Sequence, residues 1–455
     1  MKIFKYIFLS LFVVSSLTGC NNWINTNDAV VSPNAGVDAP PAIILTHLQT
    51  ATISVQEGNN ARYANMFTQH FRGLLRQHLT YDGYGLTNQN FQWGIEYQEI
   101  IHQANIVIEK ANATGDKVLV GIAKIMKAWT FGSLTALYGD IPFTEADNLE
   151  KFPNPKYDDQ VTVVYPGVIA LLNEGIADLG AGGSATTGDI FFKDGATQIA
   201  NWIAAANTLK ARFQLHLAAS NNDYASVITS ATSGISAVAN NVMAPHAGTT
   251  LKDANLYWDF LTNQRGGDYG ATGSFLEALI KTGGAKNNAK TNESARYADI
   301  FSSSDDINTT TSTIFGASAS FPLVTYEENQ LILAEANARL GNDAAALTAL
   351  NNVRAALAAK YTAGTYTAYV STDTEVATNA ALLAEIIRER YCTLVGQVEV
   401  FNDVRRTDNA IGLTPTTGTA LIARFIYPLV EDQSNSSTPK GIGLFEKVKV
   451  FGGTK

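Results

Sequence analysis

The sequence has little of the residue types that carry most catalytic and redox chemistry. Its 455 residues include 2 cysteines, 6 histidines and 4 methionines. It also contains no H-E-x-x-H, C-x-x-C, G-x-S-x-G or G-x-x-x-x-G-K-[ST], the motifs of zinc peptidases, thiol oxidoreductases, serine hydrolases and P-loop proteins. We therefore predict a protein that is not an enzyme and that holds neither a cofactor nor a metal ion. The alternative for the metal is a calcium ion at an acidic loop, such as 158–159 or 305–306.

Charged residues are also scarce, and acidic ones prevail among them. They make up 16% of the chain, with 41 Asp and Glu against 32 Lys and Arg and a formal net charge of −9. An acidic surface repels phosphate backbones, so nucleic acid is excluded as the expected partner. The hydrophobic fraction of 46% is too high for a disordered chain and predicts a large folded core.

The sequence lacks an uninterrupted apolar run of the ~18 residues that a membrane-spanning helix needs. A shorter apolar stretch, residues 7–17, follows Lys2 and Lys5 and leads into Thr18-Gly19-Cys20, which resembles the bacterial lipobox. We predict a signal peptide over residues 1–19, lipidation of Cys20 and a flexible, lipidated tether over residues 20–40. The alternative is an ordinary secretory peptide with a chance cysteine.

Apolar residues recur at helical spacing from about residue 42 onward. Ile44, Leu48, Ala51 and Val55 fall on one helical face, and a second apolar stripe continues over residues 66–79. Further helices are predicted over 93–113, from a cap at Asp116 to about residue 138, and over 165–179 and 202–219. Residues 379–404 are predicted to form one long helix or a broken helix pair. Residues 424–430 instead resemble a short strand.

Residues 327–340 and 344–359 form the clearest helix pair. A Gly-Asn-Asp stop at 341–343 separates two short helices that carry alanine and leucine at helical spacing, which is typical of a tetratricopeptide-type repeat. We therefore predict an all-α fold: a single helical domain over residues 41–455, in which tetratricopeptide-like helix pairs form the scaffold.

Two segments interrupt the helical pattern and predict a loop-rich, irregular ligand-binding face. Residues 81–90 form a loop with Gly and Asn, and residues 245–325 form an irregular insertion rich in Gly, Asn, Thr and Ser. Aromatic faces pack on sugar rings, while amide and charged side chains bond hydroxyl groups. The candidate ligand-binding residues are Tyr84, Asn90, Tyr257, Trp258, Arg265, Asp268 and Tyr269. The alternative is that these side chains anchor their own loops.

Other notable residues are better explained by packing than by ligand binding. Trp93, Trp129 and Trp202 lie on apolar stripes, which predicts that they are core residues. Asp403 is followed closely by Arg405 and Arg406. We predict that these three residues form a buried ion-pair cluster that braces helices. The alternative for this cluster is anion recognition on an exposed face.

Several segments, in order along the chain, resemble the SusD/RagB family of outer-membrane nutrient-binding lipoproteins. They are Trp93-x-x-x-Tyr97 with 104–105, the runs 138–146 and 155–158, residues 202–212, Tyr326-x-Glu328 with 334–336, and 386–407 followed by 424–435. Each segment alone is weakly specific. The ordered set, taken with the lipobox, covers most of the mature chain.

This resemblance implies a lipid-anchored, surface-facing protein of the outer membrane that binds nutrient oligosaccharides. It also implies a partner, a SusC-like TonB-dependent outer-membrane barrel, over which the protein sits as a lid and to which it delivers its ligand. Peptide binding by the same scaffold and a purely structural lid are alternatives. A surface glycoside hydrolase is a further alternative, which would need two carboxyl groups about 5–9.5 Å apart across a cleft.

Overall fold

The structure is a computed structural model that describes residues 39–193, 195–304 and 306–454. The predicted signal peptide 1–19, the lipidation site Cys20 and all but the last two residues of the predicted tether 20–40 lie outside the described residues. These three assignments therefore stay predictions. Pro41–Lys455 form a compact unit of their own.

Helices are the main elements of this unit. Up to the irregular insertion they are α1 (Pro41–Gln56), α2 (Asn59–Phe67), α3 (Arg76–Asp82), α4 (His102–Thr114), α5 (Lys117–Tyr138), α6 (Tyr165–Gly180), α7 (Gln198–Asn221) and α8 (Tyr224–Thr232). In the described part of the insertion the helices are short: α9 (Leu256–Asp259), α10 (Phe275–Ile280) and α11 (Ser294–Ile300). After it come α12 (Tyr326–Arg339), α13 (Asp343–Lys360), α14 (Asn379–Thr393), α15 (Glu399–Arg406) and α16 (Leu429–Ser434).

The long helices pack on one another in sequence and form an array. Helix α1 packs on α4, α4 on α5, α5 on α6, α6 on α7 and α7 on α8. The array then skips the insertion, because α8 packs on α12, which in turn contacts α13 and α14. This arrangement confirms the prediction of an all-α fold built from tetratricopeptide-like helix pairs. The pair α12 and α13 coincides with the predicted pair 327–340 and 344–359.

Local capping explains where several of these helices begin and end. The Asp116 carboxylate accepts a hydrogen bond from the Leu119 N–H at 3.0 Å and caps α5, as predicted. Gly115 ends α4 with a φ of 76°, a left-handed conformation that glycine adopts without strain. The Thr325 hydroxyl accepts a hydrogen bond from the Glu328 N–H at 3.1 Å and caps α12. Short-range hydrogen bonds therefore set these helix boundaries.

Short antiparallel strands join the insertion to the rest of the protein at three places in the described part of the chain. β1 (Arg72–Gly73) pairs with β3 (Tyr269–Gly270), and β2 (Val242–Ala244) pairs with β5 (Phe321–Val324). β4 (Thr291–Asn292) pairs with β6 (Thr365–Tyr366). Each pair has one strand inside residues 245–325 and one outside, so backbone hydrogen bonds hold the insertion against the helical array.

Within the described residues, two helical stretches are long and apolar enough to cross a membrane by length and composition alone, Lys117–Tyr138 and Gln160–Gly180. The most apolar part of Lys117–Tyr138 is 83% buried within the protein. Trp129 on this helix and Trp202 on α7 are buried, as is Trp93, which confirms that the three tryptophans are core residues. Gln160–Gly180 ends in α6, which packs against α5. Both stretches are thus parts of the packed array.

The structure differs from the sequence prediction in two elements. The apolar stripe 66–79 is not one helix, because β1 separates α2 from α3 and leaves Leu75 and Leu79 exposed. Residues 424–430 do not form a strand; the Phe425 N–H instead donates to the Leu137 carbonyl at 3.0 Å. Both differences come from contacts with distant segments, which the local pattern does not contain.

A buried ion-pair cluster surrounds Asp403, but its membership differs from the prediction. Arg390 and Arg406 contact the Asp403 carboxylate at 2.8 and 2.7 Å, and Arg406 also contacts Glu335 at 2.5 Å. The cluster braces α12, α14 and α15, as predicted. Arg405 was wrongly included, since it takes part in none of the ion pairs found among the described residues.

Candidate ligand-binding cavity

A cavity of about 430 Å³ lies where three parts of the chain meet. These parts are the junction of α1 and α2, the turn that precedes α4, and the irregular insertion. The volume lies within the range of small-molecule binding sites. We call this space the polar cavity, and its lining residues are Ser54, Val55, Gly58, Asn59, Asn60, Arg62, Gln92, Gly94, Ile95, Glu96, Gln98, Glu99, Leu256 and Gln264.

Gly58 allows α1 and α2 to meet closely at one wall of the polar cavity. A Cβ atom at Gly58 would lie 2.0 Å from the Ser54 carbonyl oxygen, a backbone atom that cannot move unless α1 moves. Helix α2 therefore begins directly on the end of α1. Its first turn places Asn59, Asn60 and Arg62 in the cavity wall.

Glu96 is a buried carboxyl group in this wall. Asn60 Nδ2 donates to Glu96 Oε1 at 3.0 Å, and the residue is 4% exposed. Burial raises the pKa of Glu96 to about 7, although the hydrogen bond from Asn60 acts in the opposite direction. At neutral pH both protonation states are populated, so the carboxyl group can either accept a hydrogen bond from a ligand hydroxyl or donate one to it.

Arg62 supplies a guanidinium group that residues of the insertion hold in place. The guanidinium lies 4.1 Å from the centre of the Phe260 ring, and the Tyr269 hydroxyl donates to the Arg62 carbonyl at 3.1 Å. Burial lowers the pKa of Arg62. Stacking on an aromatic face orients the planar guanidinium, so the polar cavity has a fixed hydrogen-bond donor.

Glu57 attaches the insertion to the junction of α1 and α2. Its Oε1 accepts a hydrogen bond from the Leu256 N–H at 2.7 Å, and its Oε2 lies 2.8 Å from His246 Nε2. Glu57 is fully buried. Because hydrogen bonds to a buried carboxylate are strong, they hold Leu256 as part of the cavity wall.

Two wide helical turns border the polar cavity, at Ile95–Ile101 and Phe260–Gln264. In the second, the Arg265 N–H donates to the Phe260 carbonyl at 2.8 Å, five residues back. Such π-helical turns are rare and often occur at functional sites. Here they place Gln98 and Gln264, both exposed, at the cavity.

The lining suits an uncharged ligand that carries many hydroxyl groups. Five amide side chains line the polar cavity and each offers both donors and an acceptor. The aliphatic side chains of Val55, Ile95 and Leu256 add apolar surface. Glu96 and Glu99 disfavour an acidic ligand, because like charges repel at short range.

The three predicted tyrosines are buried. Tyr84, Tyr257 and Tyr269 are 8%, 0% and 2% exposed. The Tyr257 hydroxyl donates to the Gly396 carbonyl at 2.8 Å, and the Tyr84 hydroxyl accepts from the Thr416 N–H at 3.1 Å. These contacts agree with the alternative in which the tyrosines anchor loops, and direct ligand contact by any of them stays a prediction.

Asp268, another predicted ligand-binding residue, is also fully buried. Its carboxylate lies 2.5 Å from the Arg76 guanidinium and 3.4 Å from His78 Nδ1. Arg76 and His78 belong to α3, which leads into the predicted loop 81–90. Asp268 thus links the irregular insertion to the helix that precedes the predicted loop 81–90.

The other three predicted residues are partly or fully exposed. Asn90 donates from Nδ2 to the Tyr81 hydroxyl at 2.9 Å within its own loop. Trp258 is half-buried and Arg265 is exposed. They lie close in sequence to the lining residues Leu256 and Gln264, but the lining of the polar cavity does not include them. Their role in ligand binding stays a prediction.

The sequence analysis missed the residues that line most of the polar cavity. Asn59, Asn60 and Arg62 lie between two apolar stripes, and Glu96 and Gln98 lie inside a segment that was predicted as plain helix. The sequence did contain one indication of this site. Residues 57–60, Glu-Gly-Asn-Asn, place polar side chains at the point where the apolar periodicity stops.

Potential metal ligands are dispersed in the portion of the chain that the structure describes. No three His, Cys, Asp or Glu side chains there are grouped so that they could hold a metal ion. His70 is fully buried, and burial lowers its pKa to about 3. Its Nδ1 lies 2.8 Å from Asn65 Oδ1, which marks it as a core residue.

Comparison with known families identifies the fold. A family model described as SusD-like, starch-binding and associating with the outer membrane, matches residues 33–428. The chain belongs to the SusD-like family. This confirms the resemblance seen in the sequence. No curated protein matches this SusD-like chain.

Solved structures of other SusD-like proteins have the same fold. A SusD/RagB family protein from Bacteroides thetaiotaomicron VPI-5482 matches with a TM-score of 0.70 and 21% identity, over 92% of this chain and 100% of that one. A chitin-binding SusD homologue from Flavobacterium johnsoniae has a TM-score of 0.66 and 13% identity, over 90% and 97%. A chitin-binding protein has a TM-score of 0.64 and 21% identity, over 87% and 94%.

Proposed function

We propose that this SusD-like protein binds neutral oligosaccharides in the polar cavity and delivers them to a SusC-like TonB-dependent barrel. The observation that carries the proposal is the convergence of five amide side chains, Arg62 and Glu96 on one space of about 430 Å³. Sugar hydroxyls both donate and accept hydrogen bonds, as amides do. The starch-binding description of the family and the two chitin-binding relatives support a carbohydrate ligand.

The polar cavity also suggests how a sugar would be held. The Arg62 guanidinium and the exposed amides of Gln98 and Gln264 would bond hydroxyl groups at the ring edge. The aliphatic side chains of Ile95 and Leu256 would cover the C–H surface of a ring. Trp258 and Arg265, close to the cavity in sequence, would contact further sugar units of a longer chain.

The same proposal places the protein at the outer membrane, anchored through a lipid on Cys20 and facing the cell surface. The lipobox-like residues up to Cys20 and the outer-membrane association of the family support this location. The SusC-like partner follows from the family resemblance. The protein would act by binding rather than by catalysis.

Binding to a panel of neutral glycans tests the proposal. We expect starch or chitin oligosaccharides, or another neutral glycan, to retard the protein in affinity electrophoresis. The double variant Gln98→Ala and Gln264→Ala should bind about tenfold more weakly, because two hydrogen bonds contribute about 0.5–1.5 kcal/mol each. Gln433→Ala, an exposed glutamine outside the cavity, is the matched control and should bind as the wild type does.

The alternatives have distinct outcomes in the same assay. Retention of a peptide mixture without any glycan would favour peptide binding by this scaffold. Release of reducing sugar ends during incubation would favour a glycoside hydrolase that uses Glu96 and Glu99. Unchanged glycan affinity in the double variant would place the binding site elsewhere on the protein.

A further inference from the structure

A second cavity, of about 300 Å³, lies beside the C-terminal end of α15. Most of its lining is apolar and includes Leu413, Pro415, Leu421, Phe445 and Phe451. We call it the apolar cavity. None of its lining residues belongs to the polar cavity, so the two spaces are chemically and spatially separate sites.

Arg405 is the buried cation in the lining of the apolar cavity. Its Nε, Nη1 and Nη2 donate to the carbonyls of Phe401, Ala423 and Ala136 at 3.2, 3.0 and 2.7 Å. Nη2 also donates to Asn402. A guanidinium has five N–H donors, so these four bonds leave one N–H of Nη1 available, and Arg405 is itself a lining residue of the apolar cavity.

In the part of the chain that the structure describes, Arg405 lacks the carboxylate partner that Arg212, Arg296 and Arg406 have. Arg212, Arg296 and Arg406 each contact a carboxylate at 2.5–2.6 Å. The hydrogen bonds of Arg405 go only to carbonyl and amide oxygens. Among the described residues, Arg405 takes part in no ion pair. Glu399, on the same helix, is already bonded to His216 at 2.6 Å. A buried charge without a counter-charge is costly.

Arg405 is held in a fixed position and stays charged at neutral pH. Its guanidinium lies 4.1 Å from the centre of the Phe401 ring and 5.1 Å from that of Phe451. Burial lowers the pKa of Arg405 to about 9, which still leaves it protonated at neutral pH. The other charges at the cavity, Lys447 and Asp408, neutralise each other at 2.8 Å.

The wall of the apolar cavity is held by hydrogen bonds. Asn409 Oδ1 accepts from the Leu413 N–H at 2.9 Å, and Asn409 Nδ2 donates to the Leu413 carbonyl at 2.9 Å. Tyr84 adds two further contacts, since its hydroxyl accepts from the Thr416 N–H and its ring packs edge-on against the lining residue Phe445 at 6.0 Å.

We propose that the apolar cavity binds a carboxylate carried on an apolar body, the chemistry presented by the C-terminus of a short hydrophobic peptide. The carboxylate would take the free N–H of Arg405 and balance its charge. The apolar body would pack against Leu421 and Phe445, which removes its apolar surface from water. This site is additional to the proposed oligosaccharide site and does not depend on it.

Isothermal titration calorimetry at pH 7 with three probes tests the proposal. N-acetyl-L-leucine carries the carboxylate and the apolar body, N-acetyl-L-leucinamide has the body alone, and D-glucuronate has a carboxylate on a polar body. We expect N-acetyl-L-leucine to bind at least tenfold more tightly than either of the other two. No binding of N-acetyl-L-leucine, equal binding of the amide, or equal binding of glucuronate would each overturn the proposed ligand class.

Two variants locate the site. Ala420→Trp places a bulky ring at the exposed edge of the apolar cavity and should abolish binding of N-acetyl-L-leucine, whereas Thr417→Trp, exposed on the same loop but outside the lining, should not. Arg405→Gln should reduce the affinity at least tenfold if it folds. If Arg405→Gln does not fold, the tryptophan pair decides: equal binding by both tryptophan variants would refute the location.

Discussion

Glu96 and Tyr257 are both buried polar residues, but their surroundings give them different roles. The Tyr257 hydroxyl donates to the Gly396 carbonyl, and burial raises its pKa well above the ordinary value, so it is a neutral anchor in the core. Glu96 has Asn60 as its side-chain donor and lines the polar cavity. A carboxyl group buried with so few donors is a source of pH dependence.

Glu96 should make the stability of the protein depend on pH. Its pKa rises from 4.5 to about 7 on folding, so its contribution is fully present below about pH 4.5 and is lost as the pH rises through 7. Between pH 4.5 and pH 8 the wild type should therefore lose about 3 kcal/mol of unfolding free energy relative to Glu96→Gln. Urea denaturation of both proteins at the two pH values measures the difference.

Glu109, an exposed glutamate on α4, provides the control for that experiment. Glu109→Gln should keep the same pH dependence as the wild type. A free-energy difference between wild type and Glu96→Gln that does not change with pH would show that the carboxyl group is not desolvated in the folded protein.

At the scale of elements, the polar cavity depends on how closely two helices meet and on two wide turns. Helix α2 can start on the end of α1 because residue 58 has no side chain. The turns at Ile95–Ile101 and Phe260–Gln264 then bring amides to the cavity from two other segments. The site is thus formed by the ends of elements, where backbone geometry is least regular.

Gly58→Ala and Gly94→Ala form a matched pair that tests this junction. The added Cβ would lie 2.0 Å from a backbone oxygen at Gly58 but would have no atom within 4 Å at Gly94. We expect Gly58→Ala to destabilise the protein by about 1–3 kcal/mol and to weaken glycan binding. Gly94, with φ −59° and ψ −39°, should accept alanine with no loss, or a gain of about 0.5–1 kcal/mol. Chemical denaturation of both variants and affinity electrophoresis of Gly58→Ala measure these effects, and similar losses of unfolding free energy in the two variants would refute the close contact.

At the scale of the whole molecule, the irregular insertion is held to the helical array by strand pairs and by buried charges. Lys286 contacts Glu385 and Glu389 of α14 at 2.5 and 2.6 Å. Arg296 of α11 contacts Glu293 at 2.6 Å and Glu389 at 2.8 Å. Burial acts to lower the pKa of Lys286, but the two carboxylates outweigh it and raise the pKa above the ordinary value.

Removing the charge of Lys286 should loosen the insertion. Lys286→Met leaves two buried carboxylates short of a counter-charge, so we expect a loss of about 3–5 kcal/mol of unfolding free energy. Lys290→Met is the matched control, because the pair of Lys290 with Asp373 is partly exposed and should contribute about 0–1 kcal/mol. Thermal denaturation compares the two variants, and equal melting temperatures would contradict the structural role of the cluster.

The helical scaffold could be predicted from the sequence, whereas most of the candidate site could not. The pair 327–340 and 344–359 and the cap at Asp116 matched the structure, because apolar spacing and capping act over a few residues. The polar cavity combines Asn60, Glu96 and Gln264, and no local pattern relates residues so far apart in the chain.

The sequence by itself determined the all-α class and the helix pairs, since these follow from periodicity and from residues that cap or break helices. Only the tertiary structure decided which aromatic and polar side chains of the insertion are buried. Tyr269 is in the core because its strand pairs with Arg72–Gly73. Burial is a property of contacts between distant segments, and those contacts form only when the chain folds.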